Sequence, residues 1–175
     1  MKNGISFFII LYLFSINALA QKNILKLGTI TFGGTNYGVQ YERSLSSHFS
    51  LVLQYGVVVA INSTSTVLFG APTVLFGDGF YTEGRYYFKE DKDLMEGWHL
   101  GVTFNYINTT LEFDFDKNYL ERYGIGSVAG YQWVFDHHIT IDTLFGGGWM
   151  HTSTNLRDYH NGFFPLIGVN LGYNF

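Results

Sequence analysis

Val169-Asn170-Leu171-Gly172-Tyr173-Asn174-Phe175 places an apolar residue at every second position, with small or polar residues between. Alternation of period two puts the apolar set on one face of a β-strand. This strand runs to the last residue of the chain and ends on an aromatic. Lipid cannot satisfy free backbone groups, so a strand that closes a barrel in a bilayer has to be paired along its length. Val169, Leu171, Tyr173 and Phe175 therefore read as the outward face of a closing strand, and an even set of similar strands is expected upstream.

Reading upstream by twos gives that set. Strands are expected at about 24–32, 37–45, 49–59, 77–88, 98–110, 123–135, 139–150 and 163–175, which makes eight. Most of these segments are close to the nine to eleven residues, roughly, that a tilted membrane strand requires. The turns between them alternate in length. Residues 46–48, 89–97 and 136–138 are polar connections expected at one end. The connections at 33–36, 60–76, 111–122 and 151–162 fall at the other, and three of them are long. The first long one, 60–76, holds a near duplication, Thr66-Val67-Leu68-Phe69-Gly70 and Thr73-Val74-Leu75-Phe76-Gly77, read as apolar strand extensions rather than a contact for a lipid or protein partner.

Faces follow from parity. Tyr37, Val39 and Tyr41 share one side of the second strand, and Phe49, Leu51, Leu53, Tyr55, Val57 and Val59 one side of the third. The fifth gives Leu100, Val102, Phe104 and Tyr106, and the seventh Ile139, Ile141, Phe145 and Trp149. The opposite faces collect Gln40, Glu42, Glu83, Arg85, His99, Asn105, Gln132 and Asp142. A soluble barrel turns its apolar face inward, and a membrane barrel reverses this, so the alternation alone leaves both readings open. The charges favour the second. Grouped inside, these residues form a polar core in which carboxylates surround one guanidinium, whose rigid fork can serve two carboxylates at once. Eight strands leave room for side chains only, so a packed plug is expected rather than a pore. Seven glycines, at 124, 126, 130, 146, 148, 168 and 172, are expected to relieve crowding there.

The beginning of the chain agrees with export. Lys2 precedes an apolar run from Ile5 to Phe14, and Ala18-Leu19-Ala20 forms a small-x-small cleavage signal, so residues 1–20 read as a removed signal peptide and 21–175 as one barrel domain. The apolar run is about half the roughly 20 residues a spanning helix needs. Lys2 is the only charged residue among the first 20, so cleavage takes the chain from 10 basic and 14 acidic side chains to nine and 14, a formal charge of −5. That balance disfavours nucleic acid as a partner. Cysteine is absent, so no disulfide staples the fold. Aromatics are 19% of the chain and proline occurs only at 72 and 165, a composition suited to sheet with tight turns.

Residues 24–175 resemble the small outer-membrane barrels of the OmpA-like and OmpX-like type, and in particular an uncharacterised group common in Bacteroidota. The resemblance rests on Tyr41-Glu42-Arg43, Glu83-Gly84-Arg85-Tyr86-Tyr87-Phe88, Gly130-Tyr131-Gln132-Trp133 and the terminal Gly172-Tyr173-Asn174-Phe175. It implies an all-β, eight-stranded antiparallel up-and-down transmembrane barrel in the outer membrane. It also implies that the terminal segment is a signal for barrel-assembly machinery, a transient partner. The lasting partners expected are outer-membrane lipid and lipopolysaccharide, with the protein a monomer of structural or surface-interaction role. No catalysis is expected.

Two alternatives come from other residues. His151 and Ser153 resemble the His-x-Ser-Asn site of the eight-stranded lipid A deacylases, in which His activates Ser against an acyl ester. Here Thr154 replaces the Asn, Phe163, Phe164 and Pro165 occupy the acid's place, and Asp158 is the remaining carboxylate. The other alternative is a soluble periplasmic barrel holding an apolar ligand. Neither cofactor nor metal is expected: His137 and His138 are adjacent and point apart, Asp91 and Asp93 belong to a solvated turn, and Glu112, Asp114 and Asp116 read as an acidic rim. No glycine-rich phosphate loop follows a strand.

Overall fold

The computed structural model describes residues 23–62, 73–89, 95–113, 116–154 and 161–175. Eight antiparallel strands close into one barrel in chain order: β1 (Asn23–Phe32), β2 (Thr35–Ser44), β3 (Phe49–Asn62), β4 (Thr73–Tyr87), β5 (Gly97–Phe113), β6 (Asp116–Phe135), β7 (Ile139–Thr154) and β8 (Gly162–Asn174). The seam between β1 and β8 runs in register from Ile24 opposite Asn174 to Phe32 opposite Leu166. Beyond it, Asn23 N donates to Phe175 O at 3.1 Å and Phe175 N to Asn23 O at 2.9 Å. The last residue is thus tied into the ladder.

The stagger of the barrel can be counted. From Gly28 the pairing passes through Gly38, Gly56, Gly79, Ile107 and Arg122 to Thr152 on β7, but in the other direction it passes through Asn170 to Asp142 on the same strand. The ten-residue difference is the shear that tilts the strands. We call the end that carries Asn23 and Phe175 the lower end.

Several connections are shorter than the sequence suggests. Strands β3 and β4 stay paired up to Asn62 opposite Thr73, so the second half of the duplicated segment lies in β4, while Thr66–Gly70 falls outside the described residues. The expected loop 111–122 is largely ladder, since β5 and β6 pair up to Phe113 opposite Asp116. Likewise β7 continues to Thr154. Charged residues at 112, 116, 117 and 121 look like a loop when read for hydropathy, but a hairpin above a barrel rim needs hydrogen bonds and no apolar face.

The structure shows which face of each strand points out. The outward face is apolar on every strand, with Leu27, Val39, Tyr55, Phe104, Ile125, Phe145, Phe163 and Leu171 exposed and Val102 at 72%. Inside lie Lys26, Glu42, Glu83, Arg85, His99 and Asp142, all at 0–1%. A soluble cup for an apolar ligand would carry its apolar face inward and its polar face in water, the reverse of this outward face.

Candidate functional site

The interior is layered. At the lower mouth Ile24, Tyr87 and Met95 form a small apolar floor. In the upper half Ile30, Phe32, Val58, Ile107, Met150 and Leu166 belong to an apolar cap with Phe164 packed against it. Arg122 lies 5.0 Å over the Phe164 ring and donates to the carbonyl of Gly33. Between floor and cap sits the ionic layer.

Two cations organise that layer. Lys26 Nζ lies 2.6 Å from Glu42 Oε2 and 3.0 Å from Asp142 Oδ2, and donates to Gln132 Oε1 at 2.5 Å. Arg85 grips Glu83 with its fork, Nε to Oε1 at 2.9 Å and Nη2 to Oε2 at 2.9 Å, while its Nη1 reaches Asp142 Oδ2 at 2.9 Å and Glu42 Oε2 at 3.4 Å. His99 stands between two carboxylates, Nε2 3.2 Å from Asp142 Oδ1 and Nδ1 3.7 Å from Glu83 Oε1. Neutral donors add further hydrogen bonds to the carboxylates, while Glu83 Oε1 and His99 Nδ1 are left without one. Tyr81 donates to Glu83 at 2.8 Å, Tyr87 and Ser50 to Glu42 at 2.8 and 2.6 Å, and Asn170 to Asp142 at 3.3 Å. Buried ions persist only when paired and hydrogen-bonded in this way.

Every strand contributes. Lys26 comes from β1, Glu42 from β2, Ser50 from β3, Glu83 and Arg85 from β4, His99 from β5, Gln132 from β6, Asp142 from β7 and Asn170 from β8. Room for these side chains comes from glycines across the ladder: a Cβ on Gly101 would meet the Glu83 carboxylate, one on Gly130 the His99 ring, and one on Gly172 the Lys26 stem. Of the other residues assigned to the polar core, Gln40 donates to Gln54 Oε1 at 3.2 Å, and Asn105 to Phe32 O at 3.3 Å just below the cap. Gln132 also closes the floor, donating to Met95 O at 2.5 Å.

One participant escapes a reading of the sequence. The expectation of carboxylates around a single guanidinium is corrected by Lys26, a second cation at 1% exposure. Both faces of β1 are largely apolar, with Ile24 and Ile30 on one and Leu25 and Leu27 on the other, so parity alone does not say which contains the core. The signal that could have found it is the pairing of Lys26 with Gln40 on β2 and with Gly172 on β8, which puts it inside.

The outward candidates are placed differently. His151 and Ser153 share the outward face at the top of β7, where His151 packs on Tyr123 with ring centroids 4.9 Å apart and Ser153 pairs across the ladder with Glu121. Glu121 accepts from Tyr106 at 2.6 Å, and among the described residues no hydrogen bond joins His151 to Ser153. Asp91, Asp93, Asp114 and Asp158 lie outside the described residues, as do the side chains of Glu112 and Asp116. His138 stacks on Tyr173, with centroids 5.4 Å apart. Among the described residues no group of three or more His, Asp or Glu is placed to hold a metal ion. Val169, Leu171, Tyr173 and Phe175 all stand exposed on the outward face of the closing strand.

The outward face is banded. Near the lower end runs a belt of aromatic contacts, Phe49 and Phe88 against Tyr86, Trp98 against Tyr131, and Tyr131 against Trp133. Near the upper end Asp78, Asn108, Glu121 and Ser153 form one cross-strand row. On β5, Leu100, Val102, Phe104 and Tyr106 are the outward residues between Trp98 and Asn108. The ten residue steps from Trp98 to Asn108 span about 33 Å along the strand, or about 25 Å of height at a tilt of ~40°.

Residues 6–162 match the family described as "Protein of unknown function (DUF3575)". The chain belongs to this family. No curated protein matches it significantly. Two solved structures share this DUF3575 chain's fold. One is the N-terminal β-barrel domain of Pseudomonas aeruginosa OprF, at 15% identity and a TM-score of 0.59, covering 88% of this chain and 97% of that one. The other is a major outer membrane protein from Thermus thermophilus, at 12% identity and a TM-score of 0.51, covering 89% and 100%. At such identities the likeness is one of fold.

Proposed function

We propose that this DUF3575 protein is a monomeric outer-membrane barrel of structural or surface-interaction role, exported by a signal peptide cleaved after Ala20 and inserted by barrel-assembly machinery through its terminal strand. The observation that carries the reading is the reversed polarity: ions buried at the centre, and an uncharged apolar band about 25 Å high on the outside, the height expected of a lipid-facing belt. The resemblance to OmpA-like and OmpX-like barrels supports the same location. In this reading the lower end faces the periplasm, and the upper connections, with the Asp78 to Ser153 row, face lipopolysaccharide. The ionic layer, sealed between floor and cap, serves as a structural plug, and no step of chemistry is assigned to it.

Fractionation tests the location. The protein is expected in the outer-membrane fraction, starting at Gln21 by mass, and its unboiled form should migrate differently from the boiled form on a gel. Recovery in a detergent-free soluble extract would contradict the proposal.

A further inference from the structure

Among the described residues the outward face carries a recess of about 460 Å³ across β5, β6 and β7 at the lower third of the band. Ala129 and Thr143 are small where their neighbours are large, so the sheet itself becomes the floor. Trp98, Tyr131 and Trp133 form the foot, and Phe145 a wall. Above it the Phe163 ring lies against Gly147, which pairs with Ser127, and bounds the recess from the upper side. The volume is within the range of small-molecule pockets, and all six outward lining side chains are uncharged.

We propose that this recess holds one acyl chain of a periplasmic-leaflet phospholipid as a bound, rather than freely exchanging, lipid. The proposal rests on the membrane reading above. Three features select this occupant. The recess is continuous with the apolar band, so what covers it is what covers the band. Its mouth is bounded by projecting rings, Trp98 at 63%, Phe145 at 66% and Trp133 at 40% exposure. A second barrel laid against them would rest on those rings and leave the floor uncovered. The few lining residues are also far short of the roughly 20–30 residues a side that a stable protein interface uses. A thin, flexible hydrocarbon chain can reach the floor. The foot sets its direction: indole and phenol groups favour the boundary between hydrocarbon and headgroups, so the chain enters from the lower leaflet and runs up over Ala129 toward the Phe163 ring.

The experiment uses the full mature protein extracted from membranes in a mild detergent and examined by native mass spectrometry. One phospholipid should remain bound per barrel. Ala129→Trp, which fills the floor, should lower that occupancy at least tenfold, whereas Val39→Trp on the outward face of β2 should leave it unchanged. A second measurement covers poor folding of Ala129→Trp: in vesicles, a phosphatidylethanolamine brominated on one acyl chain should quench tryptophan emission in the wild type more than in Thr143→Leu. Equal occupancy in the wild type and Ala129→Trp, retention of no lipid, or a retained mass matching lipid A or a second chain would overturn the inference. Fractionation of the same preparations separates the two readings: protein found in membranes without preferential lipid retention overturns only the bound lipid, whereas soluble protein overturns both.

Discussion

The two halves of the barrel interior are filled by opposite means. Below, Lys26, Arg85 and His99 interlock with Glu42, Glu83 and Asp142; above, Phe32, Ile107, Met150 and Leu166 form an apolar cap, with the Arg122 guanidinium over Phe164. An apolar cap loses stability in proportion to the atoms removed and the cavity left behind. An ionic layer does not scale in that way, because deleting one member leaves the others buried and unpaired. Since side chains from all eight strands meet in the lower layer, a break there should be felt around the whole barrel.

Arg85→Met should give the largest effect. It removes the hydrogen bond and the ion-pair contact to Glu83 and the contacts to Asp142 and Glu42, leaving three carboxylates to Lys26 and His99. Loss of about 3–5 kcal/mol is expected from urea unfolding in vesicles. A change below about 1 kcal/mol would mean that the layer is not held as described. In the upper half, Phe32→Ala should remove about 3 kcal/mol, as expected of an aromatic truncation in a packed core. If Phe32→Ala were the more damaging of the two, the contrast between the halves would be inverted.

A smaller effect sharpens the comparison from the backbone side. Gly130→Ala drives a methyl into the His99 ring, whereas Gly84→Ala on the outer face meets no atom within 4 Å. The first should lose about 2 kcal/mol through overpacking and the second should change stability by less than about 0.5 kcal/mol. Equal responses would show that the ring can move aside.

How much of this the sequence contains differs between the halves. Strand number and face assignment follow from period-two alternation because a one-residue error would move every side chain of a strand to the wrong face. Polar residues on the inner face stand out against that pattern, as Gln40 and Glu42 do opposite Tyr37, Val39 and Tyr41. The cap is silent by comparison: Ile30, Phe32, Ile107 and Leu166 are apolar residues on the inner face, and parity alone does not tell them from outward ones. Lys26 fell in the same blind spot, set between Leu25 and Leu27 on a strand apolar on both sides. The strand tops were obscured for another reason, since above the apolar band a ladder needs only its backbone bonds and its side chains are free to be charged.

The central claim is that the apolar face points outward into lipid, and Val102 tests it most directly. It is uncharged, 72% exposed and midway along the outward face of β5. Val102→Arg should destabilise the barrel by about 2–4 kcal/mol in vesicles, the penalty of an arginine near the middle of a bilayer. A change within about 0.5 kcal/mol, as for a substitution on a water-exposed surface, would contradict the account.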